Sequence, residues 1–376
     1  MVYFLKKIFN NVDWILLDST LLIACAGLVT MNSFVETNSF SERQVIWFLV
    51  SLFIFFTASI IDWSFLKNTK IIISLFLLSV GILSFLFIAG SAFKGAKSWF
   101  DLGAFYLQPT DLATLVVILI LAKYFSRRHM EIANVRHILV SGFYVFVIFL
   151  LVFLQPALGS AIIIFFLWLG MVLMSGLSKK HLLLVFLIGL ISFGGLWVFA
   201  LKSYQKDRIK NFIHPLTDIS GTGYNAYQSM IAVGSGQFFG KGIGLGSQSK
   251  LQFLPEYQTD FIFAAFAEEW GFLGIMLLFI LYGIIFWRML KISFRGSSNF
   301  EILFGTGLTI LFLIQVTIHV GMNIGLLPIT GTTMPFMSYG GSHLLSEFLG
   351  LGILIGMKRY SRPIHKDIAQ NEMVGV

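Results

Sequence analysis

Charge and cysteine are what this sequence has least of. Only 12% of its 376 residues are Asp, Glu, Lys or Arg, against 57% apolar, and Cys25 is its single cysteine. A soluble domain carries about 25% charged residues, so most cytosolic enzyme classes are excluded at once. One thiol cannot form an intrachain disulfide. Leu22-Ile23-Ala24-Cys25 has the look of a lipoprotein cleavage box, but Asp18 interrupts the preceding apolar run and hydrophobicity continues through Val29. Cys25 therefore reads as a buried membrane cysteine. No Gly-x-Ser-x-Gly elbow surrounds Ser338 or Ser342, Gly240-Lys241-Gly242 falls short of a phosphate loop, and His129, His137, His181, His214, His319, His343 and His365 show no metal-ligand spacing.

What the chain has in abundance is apolar length. Stretches able to cross a bilayer, each of about 20 residues, recur near 14–34, 45–62, 71–90, 111–126, 137–154, 159–175, 181–201, 260–287, 302–325 and 337–357. The expectation is an all-α polytopic integral membrane protein of about ten transmembrane helices, one domain over 1–376. With the N-terminus placed inside, seventeen of the 26 Lys and Arg fall in inner segments. Among short outer loops only Arg43, Lys94 and Lys97 are basic, which is the positive-inside pattern. The net charge of +8 thus reports membrane orientation, with both termini cytoplasmic, and not a nucleic-acid surface.

Inner loops are short, and the outer ones hold the unusual material. These are 91–110, a long extracytoplasmic loop over 202–259, and Gly325–Ser342, all too aromatic and apolar for disordered linkers. Glycine and proline at membrane depth, as in Met334-Pro335-Phe336-Met337-Ser338-Tyr339-Gly340-Gly341, suit backbone that lines a cavity; a simple helix break between two spans is the alternative. The segment LPEYQTDFIFAAFAEE, from Leu254 to Glu269, places Asp260 where a polar loop meets an apolar helix, with Glu268 and Glu269 beyond it. A charge at the centre of a membrane helix costs about 2.5–3.5 kcal/mol, so three acids in ten residues indicate a site. On a straight helix Glu268 would sit about 12 Å deeper than Asp260 and about 80° around, so both glutamates read as polar packing against neighbouring helices.

GKGIGLGSQSKLQFLPEYQTDFIFAAFAEEWGFLG and HVGMNIGLLPITGTTMPFMSYGGSHLL resemble signatures of the SEDS family, the shape, elongation, division and sporulation proteins. The resemblance continues in order through Asp13-Trp14, Gly95-Ala96…Trp99, Gln108-Pro109, Gln155-Pro156…Gly159 and Gly223-Tyr224…Gln228-Ser229. Gly246-Ser247-Gln248 and Met322-Asn323-Ile324-Gly325 resemble RodA-type members more than FtsW-type ones. The resemblance implies a peptidoglycan glycosyltransferase that polymerises lipid II on the outer face of the bacterial cytoplasmic membrane, alongside a class B penicillin-binding protein, with Asp260 as the catalytic aspartate. A lipid-linked precursor flippase or transporter and a non-catalytic scaffold for a transpeptidase are the competing readings.

Glycan polymerisation needs a base for the acceptor hydroxyl, and one carboxylate within about 3 Å supplies it. A diphosphate leaves as a stabilised anion, so no second carboxyl acid is required, unlike in glycosidases. Lys97, Arg208, Lys210 and Lys241 are the outer-face cations available to stabilise that charge, a role a bound divalent cation could share. The implied substrate-binding set adds Asp111, Glu256, Gln258, Thr259, Ser338, Gly340, Gly341 and Ser342. Asp111 stands where the family has glutamate and reads equally as a cavity charge or a cap of its helix. The chain departs from the family at Ala157 (commonly Asp), Thr114 (commonly Lys) and Ser98 (commonly Arg), each change removing a polar or charged group.

Overall fold

The computed structural model describes residues 12–33, 39–93, 96–101, 103, 106–126, 135–176, part of 183–198, 201–213, 223–251 and 253–360. In these segments the chain forms α1 (Trp14–Asn32), α2 (Ser39–Ile60), α3 (Thr69–Ala89), α4 (Pro109–Ser126), α5 (Val135–Leu154) and α6 (Leu158–Met174). There follow α7 (Ser203–Ile213), α8 (Tyr224–Ser235), α9 (Ser247–Lys250), α10 (Ile262–Ser293), α11 (Asn299–Asn323) and α12 (Gly341–Tyr360). Nine of the ten expected spans are helices. The tenth, 181–201, lies largely outside the described residues, and those described between 183 and 198 are helical. Seven helices are long and apolar enough to cross a membrane by length and composition. The chain is therefore an all-α, multi-pass membrane protein.

Local signals set the helix starts. Asp13 caps α1, accepting from the Leu16 amide at 3.2 Å, and Asn68 caps α3 through the Lys70 amide at 3.0 Å. α4 and α11 are the most enclosed spans, whereas α3 turns most of its surface outward. α12 packs intimately on α2, where Gly352 lets the two backbones approach; a methyl group there would meet the Phe55 carbonyl at 2.8 Å. At the end of the bundle away from Asp260, Arg288 of α10 grips both carboxylate oxygens of Asp13, with Lys358 of α12 3.9 Å away. That pairing fixes α1, α10 and α12 together through one buried acid.

Two expectations change. The outer segment 91–110 is not a plain loop: β1 (Ser91–Phe93), β2 (Ala96–Asp101) and β3 (Tyr106–Leu107) form an antiparallel sheet in the order β1-β2-β3, with Ser91 opposite Trp99 and Phe100 opposite Leu107. Alternation over so short a span was masked by the glycines around it. Cys25 lies mid-helix on the exposed face of α1 and not in the core.

The reading of 260–287 as a straight helix also fails. Asp260 precedes the helix, and α10 breaks at Gly271, which has φ +64° and ψ −165°. A break in a membrane helix frees backbone groups that must find partners within the protein. Segment 236–242 supplies them. Lys241 and Gly242 amides cap the Glu268 and Glu269 carbonyls at 3.0 Å each, while Phe272 and Leu273 amides donate to the Gln237 and Phe238 carbonyls at 2.9 and 3.1 Å. Gly240 and Gly271 meet face to face, so a Cβ on Gly271 would lie 2.2 Å from the Gly240 nitrogen. Gly271→Ala is expected to lower stability by about 2–4 kcal/mol, read as a depressed thermal unfolding midpoint in detergent, because the side chain meets both a left-handed backbone and a clash. Gly283→Ala on the same helix, with open space around it, should leave the midpoint unchanged or raised.

Candidate active site

The segment before α10 is a series of turns. Glu256 adopts φ +54°, and its carbonyl accepts from the Thr259 and Phe261 amides at 3.1 and 3.2 Å. Its carboxylate takes the Thr259 hydroxyl at 3.2 Å. This geometry turns two successive carbonyls toward the non-helical strap that runs from Ile324 to Gly340 and the next toward Asn323 at the end of α11. The Gln258 carbonyl accepts from the Tyr339 amide at 2.8 Å and the Thr259 carbonyl from Ser338 Oγ at 2.9 Å. The Asp260 carbonyl accepts from Asn323 Nδ2 at 3.1 Å. Asp260 is thus fixed at its backbone, with its carboxylate half-buried and Oδ2 3.6 Å from the position a Cβ on Gly331 would take.

Asn323 is the fastener that sequence reasoning did not single out. Fully buried at the end of α11, it also donates to the His319 carbonyl at 2.8 Å and accepts from the Ala264 amide and Ser229 Oγ, each at 3.3 Å. One amide side chain therefore joins α8, α10 and α11 to the Asp260 turn.

The strap is held along its length. Tyr282 donates to the Pro335 carbonyl at 2.6 Å, and Ser338 Oγ accepts from the Met334 amide at 2.8 Å. Gln44 of α2 bridges the strap, donating to the Ser338 carbonyl at 3.2 Å and accepting from the Gly340 amide at 3.3 Å. Gly341 lies flat against Trp47, where a Cβ would meet the indole at 2.2 Å. Ser342 Oγ donates to Asp111 Oδ2 at 3.3 Å and accepts from the Gln108 amide at 3.2 Å. Asp111 is therefore a cavity group, facing Ser342 and His343, whose Nδ1 is 3.5 Å from its Oδ1. Asp111, Thr114, Gln315, His343, Ser346 and Glu347 border a void of about one water's size.

The cations divide. Arg208 of α7 is exposed and donates to the Ile329 carbonyl at 3.3 Å, which places α7 on the strap two residues from Gly331. Lys210 is exposed and lies 3.7 Å from Asp207. The Lys97 side chain lies outside the described residues, although its backbone belongs to β2. Lys241 is committed elsewhere: its Nζ lies 2.7 Å from Glu268 Oε1 and donates to Ser247 at 2.8 Å. Glu268 is completely buried and gathers the Ser247 and Ser249 hydroxyls and the Gln248 amide as well. Glu269 accepts from the Gly244 amide at 2.6 Å. Both glutamates pack against neighbouring helices as expected, Glu268 meeting Ser235 of α8 at 3.5 Å and the Ser247 and Ser249 hydroxyls of α9, and Glu269 meeting Thr30 of α1 and Ser33 at its end; because α10 breaks just beyond them, both also organise the segment 241–249. Outside the spans, burial pushes the Tyr257 phenol above its ordinary value, so it remains a neutral hydroxyl three residues from Asp260.

A helical membrane bundle in which non-helical backbone closes over a half-buried carboxylate is the class this architecture defines. Within it the family is specific: a family model described as "Cell cycle protein", covering FtsW, RodA and SpoVE, matches residues 9–363, and the chain belongs to that family. It is 34% identical over 363 residues to stage V sporulation protein E of Bacillus subtilis, covering 93% of this chain and 98% of the relative. It is 35% identical over 279 residues to peptidoglycan glycosyltransferase MrdB of Escherichia coli K12, covering 74% and 75%. A solved structure described as coordinating polymerization and crosslinking in a peptidoglycan synthase complex superimposes with a TM-score of 0.80 at 28% identity, covering 93% of this chain and 99% of that one.

The Lys241–Glu268 pair yields a stability test. Lys241→Ala leaves a buried carboxylate without its cation and should cost about 3–5 kcal/mol, whereas Lys241→Met combined with Glu268→Gln should cost clearly less. Thermal unfolding of wild type, Lys241→Met, Glu268→Gln and the double variant measures the coupling; additive losses would mean that the pair does not interact.

Proposed function

We propose that this chain is a peptidoglycan glycosyltransferase that polymerises lipid II on the outer face of the cytoplasmic membrane, for cell elongation and shape. Its residues 1–376 act as a single transmembrane unit with both termini cytoplasmic and 202–259 as an extracytoplasmic loop. The observation that carries the reading is Asp260, anchored through three successive backbone carbonyls while its carboxylate faces the Gly331 turn. A general base must be held in place before its substrate arrives, and a backbone tied this closely provides that.

Asp260 takes the proton of the acceptor 4-hydroxyl as its oxygen attacks the donor's anomeric carbon. The new C–O bond forms as the bond to the diphosphate breaks, and undecaprenyl diphosphate departs with inversion. Arg208 of α7, bonded to the strap, and Lys97 on β2 are the cations assigned to the diphosphate; Lys241 acts through Glu268 on the loop architecture. Glu256, Gln258, Thr259 and Ser338 shape the site through the contacts within the Asp260 turn and between it and the strap, and Gly340, Gly341 and Ser342 through those that hold the strap's end to α2 and α4. The RodA-like motifs favour the elongation branch. A class B penicillin-binding protein is the partner, in keeping with a structural relative described as coupling polymerization to crosslinking.

Purified protein, alone and with its cognate transpeptidase, is expected to make glycan chains from lipid II, and Asp260→Asn to make none. Asn323→Ala, which frees the Asp260 carbonyl, should slow polymerisation on the order of a hundredfold with an unchanged elution volume. Equal rates for wild type and Asp260→Asn would remove Asp260 from the mechanism. Failure of the wild type even with its partner would leave a precursor flippase or a transpeptidase scaffold.

A further inference from the structure

His343 and Glu347 take no part in the chemistry above, yet they are ionisable groups buried in the bundle. His343 Nε2 lies 2.9 Å from Glu347 Oε1 one turn along α12, and its Nδ1 lies 3.5 Å from Asp111 Oδ1 on α4. The side chains of Asp111, His343 and Glu347 are 13%, 10% and 2% exposed. The Nε2–Oε1 approach is not aligned as a hydrogen bond, so the contact is one of charge: a neutral imidazole would set a lone pair against one of these carboxylates, whereas the doubly protonated ring attracts both. Two carboxylates in a shared low-dielectric pocket need such a cation between them if both are to stay ionised.

Glu347 also holds the strap, and Asp111 the first turn of α12 that follows it. Asp111 takes the Ser342 hydroxyl, and Glu347 Oε2 takes the Phe336 amide at 2.9 Å. Between those two points lie Ser338 and Tyr339, which bind the Thr259 and Gln258 carbonyls. The charge on His343 is thereby linked to the turn carrying Asp260. Thr114 borders the same void from α4, one turn beyond Asp111, at the position where the resemblance expects lysine. The other polar groups facing the cluster are Gln315 and His319 of α11, whose buried Oε1 and Nε2 have no hydrogen-bond partner, and Tyr282 of α10.

We propose that His343 is a positioning residue of the polymerase site: its imidazolium, set between Asp111 and Glu347, holds both acids in the charged form that ties down the strap and the start of α12, and so fixes the turn that carries Asp260. The proposal rests on the glycosyltransferase reading, so two readouts are needed.

The first is independent of activity. Imidazole 15N shifts of His343, assigned against His343→Gln, are recorded at pH 8 in wild-type protein and in Asp111→Asn. Two protonated nitrogens in the wild type, with one proton lost in Asp111→Asn, are expected; a neutral ring in the wild type overturns the proposal. The second is lipid II polymerisation. His343→Gln and the smaller His343→Ser should each fall on the order of a hundredfold with unchanged elution and a lowered unfolding midpoint, because two buried acids lose the base between them. Adding Thr114→Lys to His343→Ser should restore at least about a tenfold share of that loss, because the cation returns from the opposite wall. Wild-type rates in both His343 variants, or no recovery on adding lysine to a folded double variant, would overturn it. An inactive wild type with a doubly protonated His343 would instead sink the glycosyltransferase reading on which the proposal depends.

Discussion

Unspent backbone hydrogen-bonding capacity is the constraint from which this molecule's architecture follows. Within a bilayer a peptide group outside a helix must find a partner in the protein, at a penalty of several kcal/mol if it does not. The chain leaves the helical state at three places near one another: the turns of 255–261, the strap of 324–340 and the break at Gly271. Each is paired to another segment as well as to itself. The turns face the strap and Asn323, the strap also reaches Gln44, Tyr282 and Glu347, and the break is filled by 236–242. Irregular backbone at one end of the bundle is thereby mutually satisfied and held as firmly as helix.

Charge follows the same economy. Among the described residues, buried Asp13, Glu268 and Glu301 each meet a basic side chain from a distant part of the sequence: Arg288, Lys241 and Lys67. Asp111 and Glu347 share His343. Removing one member of such a pair strands a charge, so these contacts act as specificity constraints on which helices may be neighbours. The cavity beside the strap likewise holds one base, His343, between two acids.

The helical architecture was legible in the sequence because apolar length is a property of local composition. Asp260 stood out because it heads an apolar helix inside a motif of high specificity. Its anchor did not: Asn323 was visible only as part of a run, since nothing in sequence spacing shows which carbonyls a buried amide will reach 63 residues away. The polar packing of Glu268 and Glu269 on neighbouring helices was legible, but the break beyond them was not, because a glycine within an apolar run is compatible with helix and the left-handed backbone at Gly271 becomes evident only in three dimensions. The His343–Glu347 pair had a usable local signal, an i, i+4 spacing of base and acid on one helix. The β-strands of 91–107 had almost none, being short and interrupted by glycine.

The segment lodged in the break of α10 bears on where this protein can be labelled. A kinked membrane helix is often taken as a joint and chosen for reporter insertions. Here the neighbouring loop completes the helix, with four of its peptide groups occupied, so an inserted tag at 236–242 would unmake the span it was meant to observe. The Phe239 side chain projects away from that contact and is 79% exposed. A single-residue fluorophore or spin label there would follow the extremity of the loop while the helix behind it stays whole.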